Sequence, residues 1–443
     1  MTKLAGESFL ATMSTRWKKK LSLFAKKCHT VSKIAFAALV ILMQIKNTKN
    51  TYVYIRKSMD KLKYIAYYSD PSIEKKRKAA PSADTKVDYL AGALKKIGYD
   101  IKVISKCGVG KCNSFIKYYD DYTIEKNGIP VRFVPDLSSK FRSLRFFARK
   151  IIKHNINDLI KEECLKSDCK IVIYHSLGMY DIIRFLKKHK KPFTLEVEEI
   201  YSDVMTKNKK PARKKEDYMF SSASSYIFST ELLNKEINKN HKPYAICNGT
   251  YRSEPTLINE KIFDDKDKIH CVYAGTLDPR KGGAIAVASA EFLDSNYHIH
   301  ILGFGNDEET RAIKDLVLET AEKSSATVMY DGLLSGEEYI RFIQSCDIGL
   351  STQNPDAAFN STSFPSKILS YMANGLRVVS VRIPAIESSA IGGYMYYYDQ
   401  QTPEEIAKAI KSVNIKDDYD GRNVISHLDV EFQQDVAKLL ESE

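Results

Sequence analysis

Two adjacent cations mark the first place where this chain could handle an anion. The stretch CVYAGTLDPRKGG (271–283) reads as a strand, a turn through Gly275 and Thr276, and a helix start carrying Arg280 and Lys281. Unsatisfied amides at a helix start, reinforced by charged donors, suit the oxygens of a diphosphate. A second stretch, Ser363 to Val381, offers related chemistry. Pro365 fixes its own φ and pushes Phe364 toward an extended conformation, so Ser363–Lys367 forms a turn, with Ser366 placed to cap the helix that follows. In ILGFGNDEE (301–309) a strand runs into Gly303-Phe-Gly305, but Glu308 stands where a dinucleotide fingerprint needs its third glycine. That departure argues against NAD, and the two glycines instead let the backbone pass close to a base or a sugar.

Three further residues sit at strand ends. His175 follows an apolar strand, where an imidazole can hydrogen-bond or move a proton at neutral pH; a satisfied structural histidine fits the same position. Glu198 and Glu199 end another strand, and either orient an acceptor hydroxyl or cap the next helix. No zinc spacing links the cysteines: Cys107/Cys112 and Cys164/Cys169 are each five apart, without a CxxC or matching histidine. No metal is therefore expected at the site, and no cofactor.

The elements that would carry these groups alternate. Strands are expected at 62–68, 101–105, 131–134, 170–174, 193–197, 226–229 and 244–247, with helices at 85–97 and 138–165. After a polar stretch the alternation restarts, with strands at 269–274, 297–302, 327–330, 347–351, 376–381 and 394–397. Helices at 282–292, 308–321, 337–345, 366–374 and 403–412 separate them, and a last one spans about 428–441. Strand–helix alternation of this kind gives an α/β chain of two doubly wound, Rossmann-like halves, whose ligands bind at the carboxyl ends of the strands. The expected organisation is a basic extension at 1–58, an N-terminal domain at 59–248, a linker at 249–268 and a C-terminal domain at 269–425. The final helix, 426–443, would pack back on the first half.

Charge is unevenly placed. Residues 1–60 hold 12 Lys/Arg against Glu7 and Asp60, so +10 of the chain's formal +13 lies there. No nucleic-acid motif accompanies the excess, and an anionic membrane surface is the better partner. The one long apolar run, Ile34–Ile45, spans roughly 18 Å as a helix, against the roughly 30 Å of a hydrocarbon core. It fits neither a span nor a signal peptide. Met59, just before the first strand, is an alternative start. Within 138–156, Phe141 lies on an apolar helical side flanked by Arg142, Arg145 and Arg149, a pattern suited to docking on acidic lipid.

Taken in order, GTLDPRKGG, ILGFG, YDGLLSGEEY and FPSKILSYMANGLRVVS resemble the C-terminal half of bacterial glycosyltransferases of the GT-B fold. The nearest group is the retaining family four, which builds capsules, exopolysaccharides and O-antigens. YIAYYSD, KVDYLAGALKKIGYDIKVIS and FTLEVEEIYSDV resemble its N-terminal half, so the likeness covers about residues 60–430. It implies a nucleotide diphosphate sugar as donor and a glycan acceptor, lipid-linked, used at the cytoplasmic face of the membrane. It casts Lys281 as the diphosphate-binding lysine, Ser363–Lys367 as the loop on the distal phosphate and sugar, and His175 as the N-domain active-site histidine. Three positions depart from the pattern: the family's paired glutamates fall on Thr362 and Ser370, and Thr276 in Gly275-Thr276-Leu277 replaces the arginine of Gly-Arg-Leu, with Arg280 as the substitute; nor does a Gly-Gly loop follow the first strand. A non-catalytic glycan-binding or partner subunit of the same fold, or a nucleotide-sugar epimerase, remains an alternative.

Overall fold

The computed structural model describes residues 60–442 except 71, 73–76, 111, 142–151, 206 and 357–362. The extension 1–58, Arg142, Arg145, Arg149 and Thr362 therefore lie outside the described residues.

The N-terminal half is built on β1 (Lys61–Ala66), β2 (Asp100–Ser105), β3 (Lys117–Tyr119), β4 (Tyr122–Lys126), β5 (Ile129–Phe133), β6 (Asp136–Ser138), β7 (Lys170–Tyr174), β8 (Thr194–Val197), β9 (Ser225–Phe228) and β10 (Tyr244–Ile246). Eight of these form one sheet in the order β10-β9-β8-β7-β1-β2-β5-β4, parallel except for the β4–β5 pair. The C-terminal half has β11 (Ile269–Thr276), β12 (Tyr297–Phe304), β13 (Thr327–Gly332), β14 (Ile348–Ser351), β15 (Arg377–Val381) and β16 (Met395–Tyr398), ordered β13-β12-β11-β14-β15-β16 and parallel throughout. Counted from β11 this is 3-2-1-4-5-6, whose order reverses beside β11 and so opens a crevice there. Helices cover both sheets, which is why runs such as Ile171–Ile173 and Val378–Val379 are buried and apolar throughout.

Three sequence expectations need correction. The strand expected alone at 131–134 is the second arm of a hairpin, Tyr122–Phe133, turned by Asn127 (φ 53°) and Gly128 (φ 68°), the left-handed pair that a two-residue turn requires. The helix expected from Ser138 does not begin there: Ser138 ends β6, which pairs antiparallel with β3. Helices also form at Tyr180–Lys188 and Lys209–Ser222, where none was expected.

Two packing events place the site. Helix α1 (Lys367–Ala373) is drawn onto the sheet by Tyr371, whose buried hydroxyl accepts the Ala274 amide at 2.8 Å. The ring fits because position 349 is glycine; a Cβ there would lie 2.3 Å from it. The start of α1 is thereby set beside the end of β11. Helix α2 (Gly421–Glu441) runs from the C-terminal half back to the helix Pro81–Lys96, where Phe432 stacks on Tyr89 and Asp429 receives Tyr89 Oη at 3.0 Å and Lys96 Nζ at 3.1 Å.

Candidate active site

At the carboxyl end of β11 a cavity of about 330 Å³ opens. Gly275, Thr276, Lys281, Ser363, Phe364, Pro365, Ser366, Lys367 and Ser370 line it, together with Gln353 at the end of β14. Two segments more than eighty residues apart thus meet as one surface. Thr352 holds the near wall: its hydroxyl donates to Gly282 O at 2.7 Å, while Asn354 N donates to Arg280 O at 3.0 Å. Gly282 has φ 87°, and a Cβ would come within 1.8 Å of Thr352 O, so only glycine permits this approach.

The electrostatics are those of an anion site. The stem of Lys367 is partly exposed, but its ammonium is buried, has no hydrogen-bond partner, and sits 4.0 Å from the centre of the Tyr273 ring. Burial, with repulsion from Lys281, brings it down to about 7. Lys281 is also held below its ordinary value, chiefly by burial, with Arg280 adding to the effect and Asp278 and Glu199 opposing it. Gln353 presents a second buried donor without a partner, Nε2, while its Oε1 accepts the Ser351 hydroxyl at 2.9 Å. Leaving such donors unsatisfied costs about 1–3 kcal/mol for a neutral group and more for a charged one. An acceptor-rich ligand removes that cost.

Other sequence candidates lie elsewhere. Arg280 does not line the cavity; it is 69% exposed and grips Asp278 through Nε and Nη2, the latter at 2.6 Å. Gly303 and Gly305 also stay outside the lining. Gly303 is required by its own sheet, since a Cβ would lie 1.9 Å from Gly275 O across the β11–β12 pairing. Gly305 leads into a helix whose amides are already served by the reciprocal Asn306–Glu309 cap. Ser366 occupies the cap position of α1, but its hydroxyl makes no capping bond. Lys281 ends a short turn at Pro279–Lys281, with the helix beginning only at Gly283.

On the N-terminal side His175 is fully buried between Tyr201 and Phe220, lining neither this cavity nor the one below. Burial brings it down to about 3, so the ring is neutral, 3.5 Å from Glu216. Glu216 serves mainly as a backbone acceptor for Tyr201 N and Ser202 N. Glu198 caps no helix; it pairs with the buried Lys86 at 2.9 Å. Glu199 is raised, by burial first and Glu198 next, while Lys281 of the C-terminal half opposes the shift. A second cavity, of about 620 Å³, opens between Tyr67, Lys106, Asp136, Ile152, Leu177 and Tyr180, at the carboxyl ends of the N-terminal strands.

Sequence reasoning passed over Gln353, Lys86 and Glu196. Lys86 also donates to Cys247 O at 3.2 Å, and buried Glu196 accepts the Tyr64 hydroxyl and is raised by burial to about 7. Position just after an apolar strand was the signal available for Gln353. It also passed over clustered histidines: His270, His298 and His300 come together on one face of the C-terminal sheet, against the expectation of no grouped metal ligands.

Two Rossmann-like domains with a strand-end cavity define the GT-B architecture. Residues 268–414 match the family model described as Glycosyl transferases group 1. A UDP-forming trehalose-phosphate synthase from Burkholderia xenovorans is similar in fold, with a TM-score of 0.58 at 10% identity over 86% of this chain and 99% of that one. The E. coli trehalose-6-phosphate protein bound with UDP-2-fluoro glucose gives 0.57 at 11% identity, over 87% and 99%. Anabaena HepE in complex with UDP gives 0.57 at 13%, over 87% and 100%. No curated protein sequence matches the chain.

Proposed function

We propose that this protein transfers a sugar from a nucleotide diphosphate donor to a glycan acceptor. The observation that carries the reading is the pair of partnerless buried donors, Lys367 Nζ and Gln353 Nε2, in the same cavity as Lys281. Two lysines held low by burial, one of them also repelled by the other, are poor neighbours until an anion of charge near −2 arrives. A diphosphate supplies that charge, and on departure with the nucleotide it is stabilised by the same cations, so the step needs no metal. The UDP named for HepE and for the E. coli protein supports uridine as the nucleoside. The match over 268–414 supports glycosyl transfer as the reaction.

In this reading the sugar faces Glu199 and the acceptor enters from the 620 Å³ cavity. The acceptor is a lipid-linked glycan of a cell-surface polysaccharide, met at the inner face of the plasma membrane, and transfer retains configuration. Membrane approach is supported by an aromatic patch that includes Phe141, the residue before the basic run in sequence: Phe115 is 64% and Phe141 44% exposed, their rings 5.6 Å apart, with Ile116 and Tyr118 also exposed. Among the described residues no helix is long and apolar enough to cross a membrane, which suits attachment from one side.

A second reading has one observation in its favour. Ser370 lines the cavity where the resembling family carries a carboxylate, as expected of a subunit that binds a glycan without transferring sugar. Incubation of the full chain with labelled UDP-, GDP- and dTDP-sugars, with and without extracted membrane lipid, separates the two. Labelled lipid or released nucleotide supports the enzyme. Nucleotide binding by calorimetry without turnover of any donor supports the subunit.

A further inference from the structure

The three histidines are far from the cavity just described. His270 is the second residue of β11 and His298 its partner in register on β12, with His300 two residues on and therefore on the same face. Their rings are 0%, 6% and 1% exposed and lie against one another, His298 on His300 at 3.9 Å and His270 on His300 at 5.2 Å between centroids. Phe263, from the segment that enters β11, stacks over His270 and His300 at 4.3 and 4.5 Å. The five residues from His270 to Gly275 separate this cluster from the cavity by roughly 16 Å along the strand.

Each ring is held from outside by one nitrogen. His270 Nε2 is 3.1 Å from the carbonyl of Asp265, His298 Nδ1 is 3.0 Å from the Asp265 carboxylate, and His300 Nδ1 is 3.2 Å from the Asp331 carboxylate. All three of these partners are acceptors, so all three nitrogens carry the ring proton. The other nitrogens are then bare lone pairs. Two of them, His270 Nδ1 and His300 Nε2, face each other at 2.9 Å, and the third, His298 Nε2, is buried with no partner. One nitrogen from each ring lies within 4.8 Å of the others. An extra proton would join the first two and leave His298 Nε2 orphaned. A metal ion that drew one nitrogen of each ring to itself would satisfy all three.

We propose that His270, His298 and His300 bind a divalent transition metal ion of the zinc class. Imidazole nitrogens suit that class, and the bonds from the second nitrogens to two carboxylates and a carbonyl are the outer partners that orient metal-binding histidines. Asp265 and Asp331 also balance the ion's charge. The role is structural: through Asp265 the ion fastens the segment before β11 to β11, β12 and, through Asp331, β13. Nothing in the inference depends on sugar transfer.

The test uses the full chain, free of any polyhistidine tag. It is stripped with chelator, checked for folding by circular dichroism, and titrated with zinc and with cobalt. The expected result is about one ion per chain, the visible absorption of nitrogen-bound cobalt, and a Tm increase of about 3 °C or more at saturating zinc. His298→Gln should weaken zinc binding at least 100-fold, and Asp331→Asn, which keeps a hydrogen-bonding group near His300, by about 10- to 100-fold. The proposal is overturned if the folded parent binds less than a tenth of an equivalent. It is overturned equally if folded Asp331→Asn and His298→Gln bind zinc as the parent does, and one folded variant suffices for that comparison.

Discussion

Replacing Lys367 by Met should strengthen the fold and weaken nucleotide binding at once. In the folded chain the ammonium is brought to about 7 from 10.5, so between those values the folded state holds fewer protons than the unfolded one. Stability therefore rises with pH across that window, and the full penalty of the buried ammonium is present below pH 7. The interval of 3.5 units corresponds to an upper bound of about 5 kcal/mol; relaxation around the partly exposed stem leaves an expected 2–4 kcal/mol. Lys367→Met should thus raise Tm by roughly 3–6 °C at pH 6 and change it little near pH 10.5. Binding moves the other way: one charge-assisted contact to phosphate is lost, worth about 1.5–3 kcal/mol, or about 10- to 150-fold in Kd for UDP. Calorimetry in two buffers of different ionisation enthalpy supplies an independent reading. At pH 8 the parent should take up close to one proton more than the Met variant on binding UDP, and at pH 6 almost none more. A variant less stable than the parent at pH 6, or one that binds UDP unchanged, would refute the account.

Lys281→Ala should lower transfer by about 10²–10³ while the melting curve stays intact, and steady-state rates with several donors check it. Lys86→Ala strands Glu198 beside buried Glu196 and should destabilise by about 3–5 kcal/mol, read from urea unfolding. Gly282→Ala forces a Cβ onto Thr352 O and should cost at least about 2 kcal/mol together with donor binding; normal binding by this variant would show that the Gly282–Thr352 contact does not position Lys281. Initial transfer rates at 25 °C should stay within about twofold when EDTA replaces added manganese, because cations meet the leaving diphosphate. Acidic liposomes should sediment a chain starting at Met59, and lose it when Phe115 and Phe141 are both changed to Ser.

The strands were legible because buried parallel strands are apolar on both faces, and Lys170–Tyr174 is bounded as read. Pairing order was not, since nothing in Val172 says that it lies against β1 on one side and β8 on the other. The β4–β5 hairpin carried its signal, Asn127-Gly128, but only its second arm was expected, because β4 alternates exposed and half-buried residues without a buried face. Ser363–Lys367 and Lys281 were read as an anion surface because turn chemistry and charge are local. Arg280 was misplaced because a cation two residues from an aspartate finds its partner inside the loop. The histidines were hidden by separation: the alternation of His298 and His300 was visible, but His270 joins them only through strand register.

The return of α2 to the helix Pro81–Lys96 has a mechanical consequence. The two halves are joined covalently where Cys247 and Gly249 leave the N-terminal sheet, held there by Lys86, and a second time where α2 lies on Tyr89. One strap would leave three rotations free. Two separate straps leave essentially one, about the line that joins them, as two hinges do for a door. Any closing of the cavity at Lys367 toward the one at Leu177 would then follow a single arc, and a donor held on one leaf would meet the other leaf always at the same place.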